Sequence, residues 1–139
     1  MEVDMILVTV VASLLSGLIG VLVSFKFYER LEKRKLKIET AKKLIGSRYD
    51  TGSDGFRTAM NEIFVVYADS NEVMKAMEGF WEALQTPIQN RPPNLADDKL
   101  LLLLKEVCSD SGITHPKHFN DAFFMRTFNA PKQVQGTGT

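Results

Sequence analysis

Residues 5–25 read MILVTVVASLLSGLIGVLVSF, a stretch of 21 residues without a charged side chain. At a rise of about 1.5 Å per residue a helix of this length is roughly 31 Å long, and the hydrocarbon core of a bilayer is about 30 Å thick. A cleavable signal peptide has a basic start and a shorter apolar run, whereas this chain starts with Glu2 and Asp4. The stretch therefore predicts a retained membrane-spanning helix.

Basic residues follow the predicted span directly and indicate its orientation. Residues 26–48 contain nine Lys or Arg residues and three Glu residues, a net charge of +6, whereas residues 1–25 contain no Lys or Arg. Because segments rich in Lys and Arg stay in the cytoplasm, we expect the N-terminus outside and the C-terminal domain inside. Cys108 is the one cysteine of the chain and has no partner for an intramolecular disulfide, which fits a reducing compartment.

The basic residues nearest the predicted span are expected to contact a lipid bilayer with anionic headgroups. They are Lys26, Arg30, Lys33, Arg34, Lys35 and Lys37. Each Lys or Arg at such a surface contributes about 1 kcal/mol of binding free energy. Nucleic acid is the alternative ligand of a basic stretch. No nucleic acid is expected here, because the whole chain balances 17 basic against 17 acidic residues.

Small residues recur every four positions in two neighbouring columns along the predicted span. The columns contain Ala12, Ser13, Ser16, Gly17, Gly20 and Ser24. In lipid, helices associate where small residues let their backbones approach closely, so the columns predict self-association into a homo-oligomer. The alternative is that these residues have no role, since Gly and Ser are common in single spans. No charged residue lies inside the span, so a proton relay or charged ion path is not supported.

The helical pattern of the span continues into the next segment. Residues 26–45 contain no Gly or Pro, and Gly46 supplies a helix stop. Leu31, Ile38 and Ile45 are seven residues apart and form an apolar stripe. This stripe either pairs with another copy or docks on the rest of the chain. Docking is favoured, because a small domain needs every apolar face that it has.

Apolar residues at helical spacing predict further helices, and no alternating strand pattern appears. Four further helices are predicted, with approximate bounds 55–68, 69–85, 94–112 and 114–124. The helix over 69–85 is predicted to begin with a capping box formed by Asp69 and Glu72. The predicted fold class is all-α: one N-terminal transmembrane helix that continues into a stalk, followed by a small cytoplasmic bundle of four to five helices. The predicted divisions are 1–25 (tail and span), 26–46 (basic juxtamembrane helix), 47–128 (helical domain) and 129–139 (disordered tail).

Residues that could carry chemistry are sparse. His115 and His118 are three residues apart, but two imidazoles are only half of a metal site. Cys108 follows an apolar run and is interpreted as a core residue, and a Cys-His nucleophile pair has no support beyond spacing. The glycines near residue 53 lack the Gly-Lys-Ser/Thr of a phosphate loop. We therefore predict no catalytic, cofactor-binding or metal-binding residue, no cofactor and no enzyme activity.

Three residues of the predicted domain are candidates for a partner contact or a structural role. Arg48 follows a predicted helix end, where it can meet the last carbonyl groups. Asn61 lies near the apolar face of its helix, where a buried amide needs a hydrogen-bond partner. Trp81 adjoins Phe80, and one ring is expected in the core while the other partly faces out and could anchor a partner.

Residues 40–113 carry a family resemblance. The runs are Lys43-Leu44-Ile45-Gly46-Ser47-Arg48, Ala59-Met60-Asn61-Glu62-Ile63, Glu72-Val73 and Phe80-Trp81. They resemble a family of small bacterial single-span membrane proteins with a helical cytoplasmic domain of unknown function. The chain departs from the usual pattern of that family after Gly112, where the family continues with a basic, Tyr-rich end. The resemblance implies a location in the bacterial inner (plasma) membrane and implies no activity.

Two functions fit these observations. The first is a membrane-anchored helical module for protein interaction or assembly, without catalytic activity and with an unknown protein partner. The second is an oligomerising membrane effector that permeabilises the membrane on a cytoplasmic signal. The small residues of the span motivate the second function, and the lack of polar pore-lining residues argues against it.

Overall fold

The computed structural model describes residues 1–114 and 121–125, apart from the side chain of Phe123. The helices in these ranges are α1 (Glu2–Ser47), α2 (Asp54–Val66), α3 (Asn71–Gln85), α4 (Leu95–Asp110) and α5 (Asp121–Phe124), with a short 3₁₀ turn at Ile88–Asn90. No strand occurs in these ranges, and the predicted all-α fold is confirmed. Residues 115–120 of the predicted fifth helix, which include both histidines, and the predicted disordered tail lie outside the described residues.

The chain divides into two compact units, Met1–Leu36 and Lys37–Thr139. In the first unit α1 is apolar and exposed: no residue of its most apolar 18-residue window is buried. Among the described residues, α1 is the one helix long and apolar enough to cross a membrane. A continuous exposed apolar surface of this size is unusual for a soluble protein and suggests membrane anchoring.

The second unit has one hydrophobic core, built by residues 37–47 of α1 together with α2, α3 and α4. Its buried side chains are Ala41, Leu44, Phe56, Ala59, Ile63, Tyr67, Val73, Ala76, Met77, Phe80, Leu100, Leu103, Leu104 and Val107. Phe56 of α2 and Phe80 of α3 meet edge to face, with ring centroids 6.3 Å apart. This edge-to-face geometry adds to the stabilisation from burial alone and holds α2 against α3.

Residues 37–47 dock on the domain, as favoured for the apolar stripe. Ala41 and Leu44 are fully buried, and Ile45 packs against the core from its edge. Leu31, by contrast, is 51% exposed and does not join the core. The heptad spacing does not mark the middle of the buried face of α1, because that face includes Thr40 and Ala41. These small or polar residues are less conspicuous in a hydropathy pattern than the isoleucines beside them.

The helix ends follow local chemistry with one correction. Ser53 caps α2, since its Oγ accepts a hydrogen bond of 3.2 Å from the backbone N–H of Phe56. The predicted capping box at Asp69 is wrong: Ser70 occupies the cap position of α3, and the carboxylate of Asp69 binds Lys37 instead. After α4, Gly112 adopts a φ of 69°, the left-handed conformation that ends many helices.

Candidate functional site

An apolar groove of about 740 Å³ lies between α2 and α3 on the surface of the second unit. Its lining residues are Thr51, Phe56, Arg57, Met60, Asn61, Phe64, Met74, Met77, Glu78, Phe80, Trp81 and Leu84. The buried rings of Phe56 and Phe80 belong to both the groove and the core. Grooves of this size with mainly apolar walls are typical of binding sites.

The groove exists because α2 and α3 each carry more apolar surface than the core covers. In α2, Ile63 is buried, whereas the neighbouring Phe64 is 60% exposed. In α3, Phe80 is buried, whereas Trp81 is 62% exposed. A step of one residue turns the helix by about 100°, so adjacent large apolar residues cannot both face the core. The surplus rings form an exposed apolar patch.

The structure brings two of the three candidate residues of the domain together. Trp81 and Asn61 both line the groove, and the expectation that one ring of the Phe80–Trp81 pair is buried and the other exposed is confirmed. The expectation of a buried amide at Asn61 is wrong, because Asn61 is exposed. The face of α2 that contains Met60, Asn61 and Phe64 lines the groove.

Arg48 has a different role and is not among the groove-lining residues. Its Nη1 donates a hydrogen bond of 2.6 Å to the carbonyl oxygen of Ile45, as expected for a basic residue after a helix end. Its guanidinium carbon also lies 6.0 Å from the centroid of the Phe124 ring, at cation–π distance. Arg48 thus connects the end of α1 with α5.

A polar cluster that the sequence pattern did not indicate ties α1 to the loop that follows α2 and to the end of α4. The Nζ atom of Lys37 lies 2.9 Å from Asp69 Oδ1 and 2.7 Å from Asp110 Oδ2, and the Lys37 side chain is only 13% exposed. Burial lowers the pKa of Lys37, but hydrogen bonds to Asp110 and Asp69 outweigh it and raise the pKa above its ordinary value. Lys37 thus differs from the other predicted membrane-surface residues, because its charge is already neutralised within the domain.

Tyr67 lies at the centre of the same cluster and is fully buried. Its hydroxyl donates to the carbonyl oxygen of Lys37 at 2.7 Å and lies 2.6 Å from Ser111 Oγ, which is itself 2.6 Å from the carbonyl oxygen of Val107. Two hydroxyl protons serve these three short contacts, so one of the two protons is shared between two acceptors, and either hydroxyl can donate in the contact between Tyr67 and Ser111. Burial raises the pKa of Tyr67 to about 12. The phenol therefore stays neutral and acts as a cross-link between helices.

The thiol of Cys108 does not have the properties of a nucleophile. Cys108 is fully buried, and burial raises the pKa of its thiol to about 11, which disfavours the nucleophilic thiolate. Within residues 1–114 and 121–125 no group of three or more His, Cys, Asp or Glu side chains is arranged to hold a metal ion. Among the described features, the groove is the better candidate for a functional site.

The small residues of the predicted span are exposed along α1: Ala12, Ser13, Ser16, Gly17, Gly20 and Ser24. A Cβ atom built on Gly17 or Gly20 would meet no other atom within 4 Å, apart from the local helix backbone. Lys26, Arg30, Lys33, Arg34 and Lys35 are also exposed. Both sets of residues are accessible for the contacts predicted from the sequence.

These features define a class: an all-helical protein with one N-terminal candidate span and a helical domain that carries an apolar groove. The chain belongs to a family described as Family of unknown function (DUF6680), whose model matches residues 1–118. The expectation of an uncharacterised family is thereby confirmed. No curated protein matches the chain, and no solved structure matches it.

Proposed function

We propose that this protein is a membrane-anchored interaction module without catalytic activity. The first part of α1 holds the chain in the bilayer, and the domain from Lys37 onward binds a partner protein. The observation that carries the proposal is the groove between α2 and α3, which exposes Phe64 and Trp81 beside a well-packed core. Exposed aromatic residues over a preformed apolar groove are the usual anchors of protein recognition.

The proposed location is the cytoplasmic face of a bacterial plasma membrane. The excess of Lys and Arg after residue 25 supports this orientation. A reporter that is active only in the cytoplasm should work when it is fused after Thr139 and fail when it is fused before Met1. Activity of the N-terminal fusion alone would reverse the orientation.

The interaction role is tested by capture of partners from membranes in mild detergent, with identification by mass spectrometry. Phe64→Glu places a charge in the groove and should remove the specific partners. Val65→Glu is the matched control, because Val65 is exposed on α2 but is not among the groove-lining residues. Loss of the same partners in both variants, or in neither, would count against the groove as the binding surface.

Self-association of the span is part of the proposed function. The alternative function is permeabilisation of the membrane by the associated spans. Replacement of Ser16 and Gly20 by Leu should weaken association in a membrane assay, because larger side chains separate the two backbones. Leu is compatible with lipid, so insertion should not change. An interaction module should keep its partner after these changes. A permeabilising effector should instead release dye from vesicles as wild type and lose that release in the double variant.

A further inference from the structure

We propose that residues 26–35 of α1 select anionic phospholipids around the span, by pairing their cationic side chains with lipid phosphate groups. This inference rests on the proposed function, since it requires the first part of α1 to lie in the bilayer. The evidence lies in the ion pairs of the chain, in the distance of each cation from the apolar run and in the exposed aromatic rings between them.

The cations of residues 26–35 differ from those of the second unit in their pairing. Five basic residues of the second unit form ion pairs with carboxylates of that unit: Lys37, Lys43, Arg57, Lys75 and Lys105. Five basic residues of the first unit are exposed and form no ion pair within the described ranges: Lys26, Arg30, Lys33, Arg34 and Lys35. Glu29 and Glu32 lie in the same segment but pair with none of them. The segment therefore presents five accessible cations and a net charge of +3.

The first two cations of the segment lie at the depth of the lipid phosphates. At a rise of about 1.5 Å per residue, Lys26 and Arg30 lie roughly 2 and 8 Å beyond Phe25 along the axis of an upright helix. The headgroup layer on each side of a bilayer is roughly 5–8 Å thick, so both side chains reach it. The last three cations lie roughly 12–15 Å beyond Phe25. They stand above the layer but within about a Debye length of it, so they act through a field that salt screens.

Exposed aromatic rings mark the same depth. Phe27 and Tyr28 are 66% and 67% exposed, although no residue of the core covers them. Tyrosine is enriched at membrane–water interfaces, because its ring is apolar and its hydroxyl group is polar. A Tyr28 ring at the headgroup level places Lys26 and Arg30, each two residues away, beside the phosphate groups.

Anionic lipid is favoured over the other ligands that carry phosphate. Headgroups surround a helix that spans their bilayer, so their effective concentration exceeds that of soluble phosphate or nucleic acid. Phosphatidylcholine has the same phosphate group but cancels its charge with a quaternary ammonium group. A segment with a net charge of +3 therefore favours headgroups whose own net charge is negative.

The test uses the full chain reconstituted in phosphatidylcholine vesicles with a trace of spin-labelled lipid. Electron paramagnetic resonance separates lipid held at the protein from lipid that diffuses freely. The ratio of association for labelled phosphatidylglycerol over labelled phosphatidylcholine measures the selectivity. We expect a preference for phosphatidylglycerol of roughly fivefold, the factor that contact with one Lys or Arg supplies. Inorganic phosphate should displace the labelled phosphatidylglycerol no more than chloride does at the same ionic strength.

Two double variants separate contact from the longer-range field. Lys26→Gln with Arg30→Gln should remove most of the preference, and it should also remove the part that survives in about 0.5 M salt. Lys33→Gln with Lys35→Gln should lower the preference at low salt and have little effect in high salt. All four side chains are exposed, so the helix should keep its circular dichroism spectrum.

The matched control is Arg57→Gln with Lys75→Gln, which removes two exposed cations from the second unit and should leave the selectivity unchanged. Four results would overturn the inference: equal association of both lipids, no loss in either segment variant, an equal loss in the control, or displacement of the lipid by inorganic phosphate or single-stranded RNA. If alkaline carbonate washes the chain from the vesicles, the anchoring in the proposed function fails. If the chain resists the wash and shows no selectivity, only this inference is wrong.

Discussion

The hydroxyl of Tyr67 donates a hydrogen bond of 2.7 Å to the backbone carbonyl oxygen of Lys37, across 30 residues of sequence. Lys37 is the first residue of the second compact unit. Its ammonium group is held at the same time by Asp69 and Asp110. Backbone and side chain of one residue are thus fixed by different elements, which locks the register in which the end of α1 docks on the domain.

Removal of that hydroxyl by Tyr67→Phe should lower the free energy of unfolding by about 1–2 kcal/mol, because Ser111 and the Lys37 carbonyl lose a buried partner. Tyr49→Phe is the control, since Tyr49 is exposed and should change the value by less than about 0.5 kcal/mol. Denaturant unfolding of the full chain in mild detergent, followed by Trp81 fluorescence, measures both. Equal effects of the two changes would contradict the cross-link.

The buried phenol of Tyr67 also predicts that the folded state loses stability at alkaline pH. Burial raises the pKa of Tyr67 from 10.0 in model compounds to about 12, so the folded state holds the proton more tightly than the unfolded state. The resulting stabilisation is complete below pH 10 and is lost as the pH rises from about 10 to about 12. The raised pKa of Lys37 acts in the same direction.

The measurement is an ultraviolet titration of tyrosinate together with unfolding at several alkaline pH values. Subtraction of the Tyr67→Phe curve from the wild-type curve should leave one transition near pH 12 or at the onset of unfolding. A difference curve centred near pH 10 would show that the phenol is accessible to water.

A third prediction concerns the end of α1. Leu44→Ala should cost about 2–5 kcal/mol of stability, since Leu44 is fully buried among the helices of the domain. Leu36→Ala is the matched control on the same helix, because Leu36 is half exposed and precedes the second unit. Unfolding monitored by Trp81 should separate the two variants clearly. Similar small effects would mean that residues 37–47 are not part of the core.

The sequence predicts the helices well because their signals are local. The continuation of α1, the break before α4 and the stop at Gly112 depend on Gly, Pro and apolar spacing within one or two turns. The contact of Tyr67 with Ser111 spans 44 residues and leaves no local pattern. The groove was missed for another reason: hydropathy shows how wide the apolar face of a helix is, but not which part of it a neighbour covers.

Acid should weaken the contact between α1 and α2. Lys43 lies 2.7 Å from Glu62 and lowers the pKa of that carboxyl group, and Thr40 donates a further hydrogen bond of 3.0 Å. The folded-state pKa lies below the unfolded value, so the stabilisation is present above about pH 4.5 and disappears as the pH falls through the lower, folded-state value.

Glu62→Gln should therefore reduce stability at pH 7 by about 0.5 kcal/mol, a value discounted because water and salt screen this partly exposed pair. The difference from wild type should shrink as the pH falls below about 4.5 through the folded-state pKa of Glu62, and it should also shrink in high salt. Glu72→Gln is the control, because Glu72 and Lys75 are both well exposed. If the stability difference between Glu62→Gln and wild type instead grew in acid, the pKa of Glu62 would not be lowered in the folded state.

The thiol of Cys108 reports whether the core opens. It is fully buried and has a pKa of about 11, so at pH 8 only about one thiol in a thousand is ionised, and reagents cannot reach it without unfolding. Labelling by a thiol reagent should therefore track denaturant unfolding, with little reaction before the transition. Ser109→Cys supplies the control, because Ser109 is exposed on the same helix and gives one fast and one protected thiol in the same molecule. If Cys108 reacted as fast as the thiol at position 109 under native conditions, the core around Cys108 would not be closed to solvent.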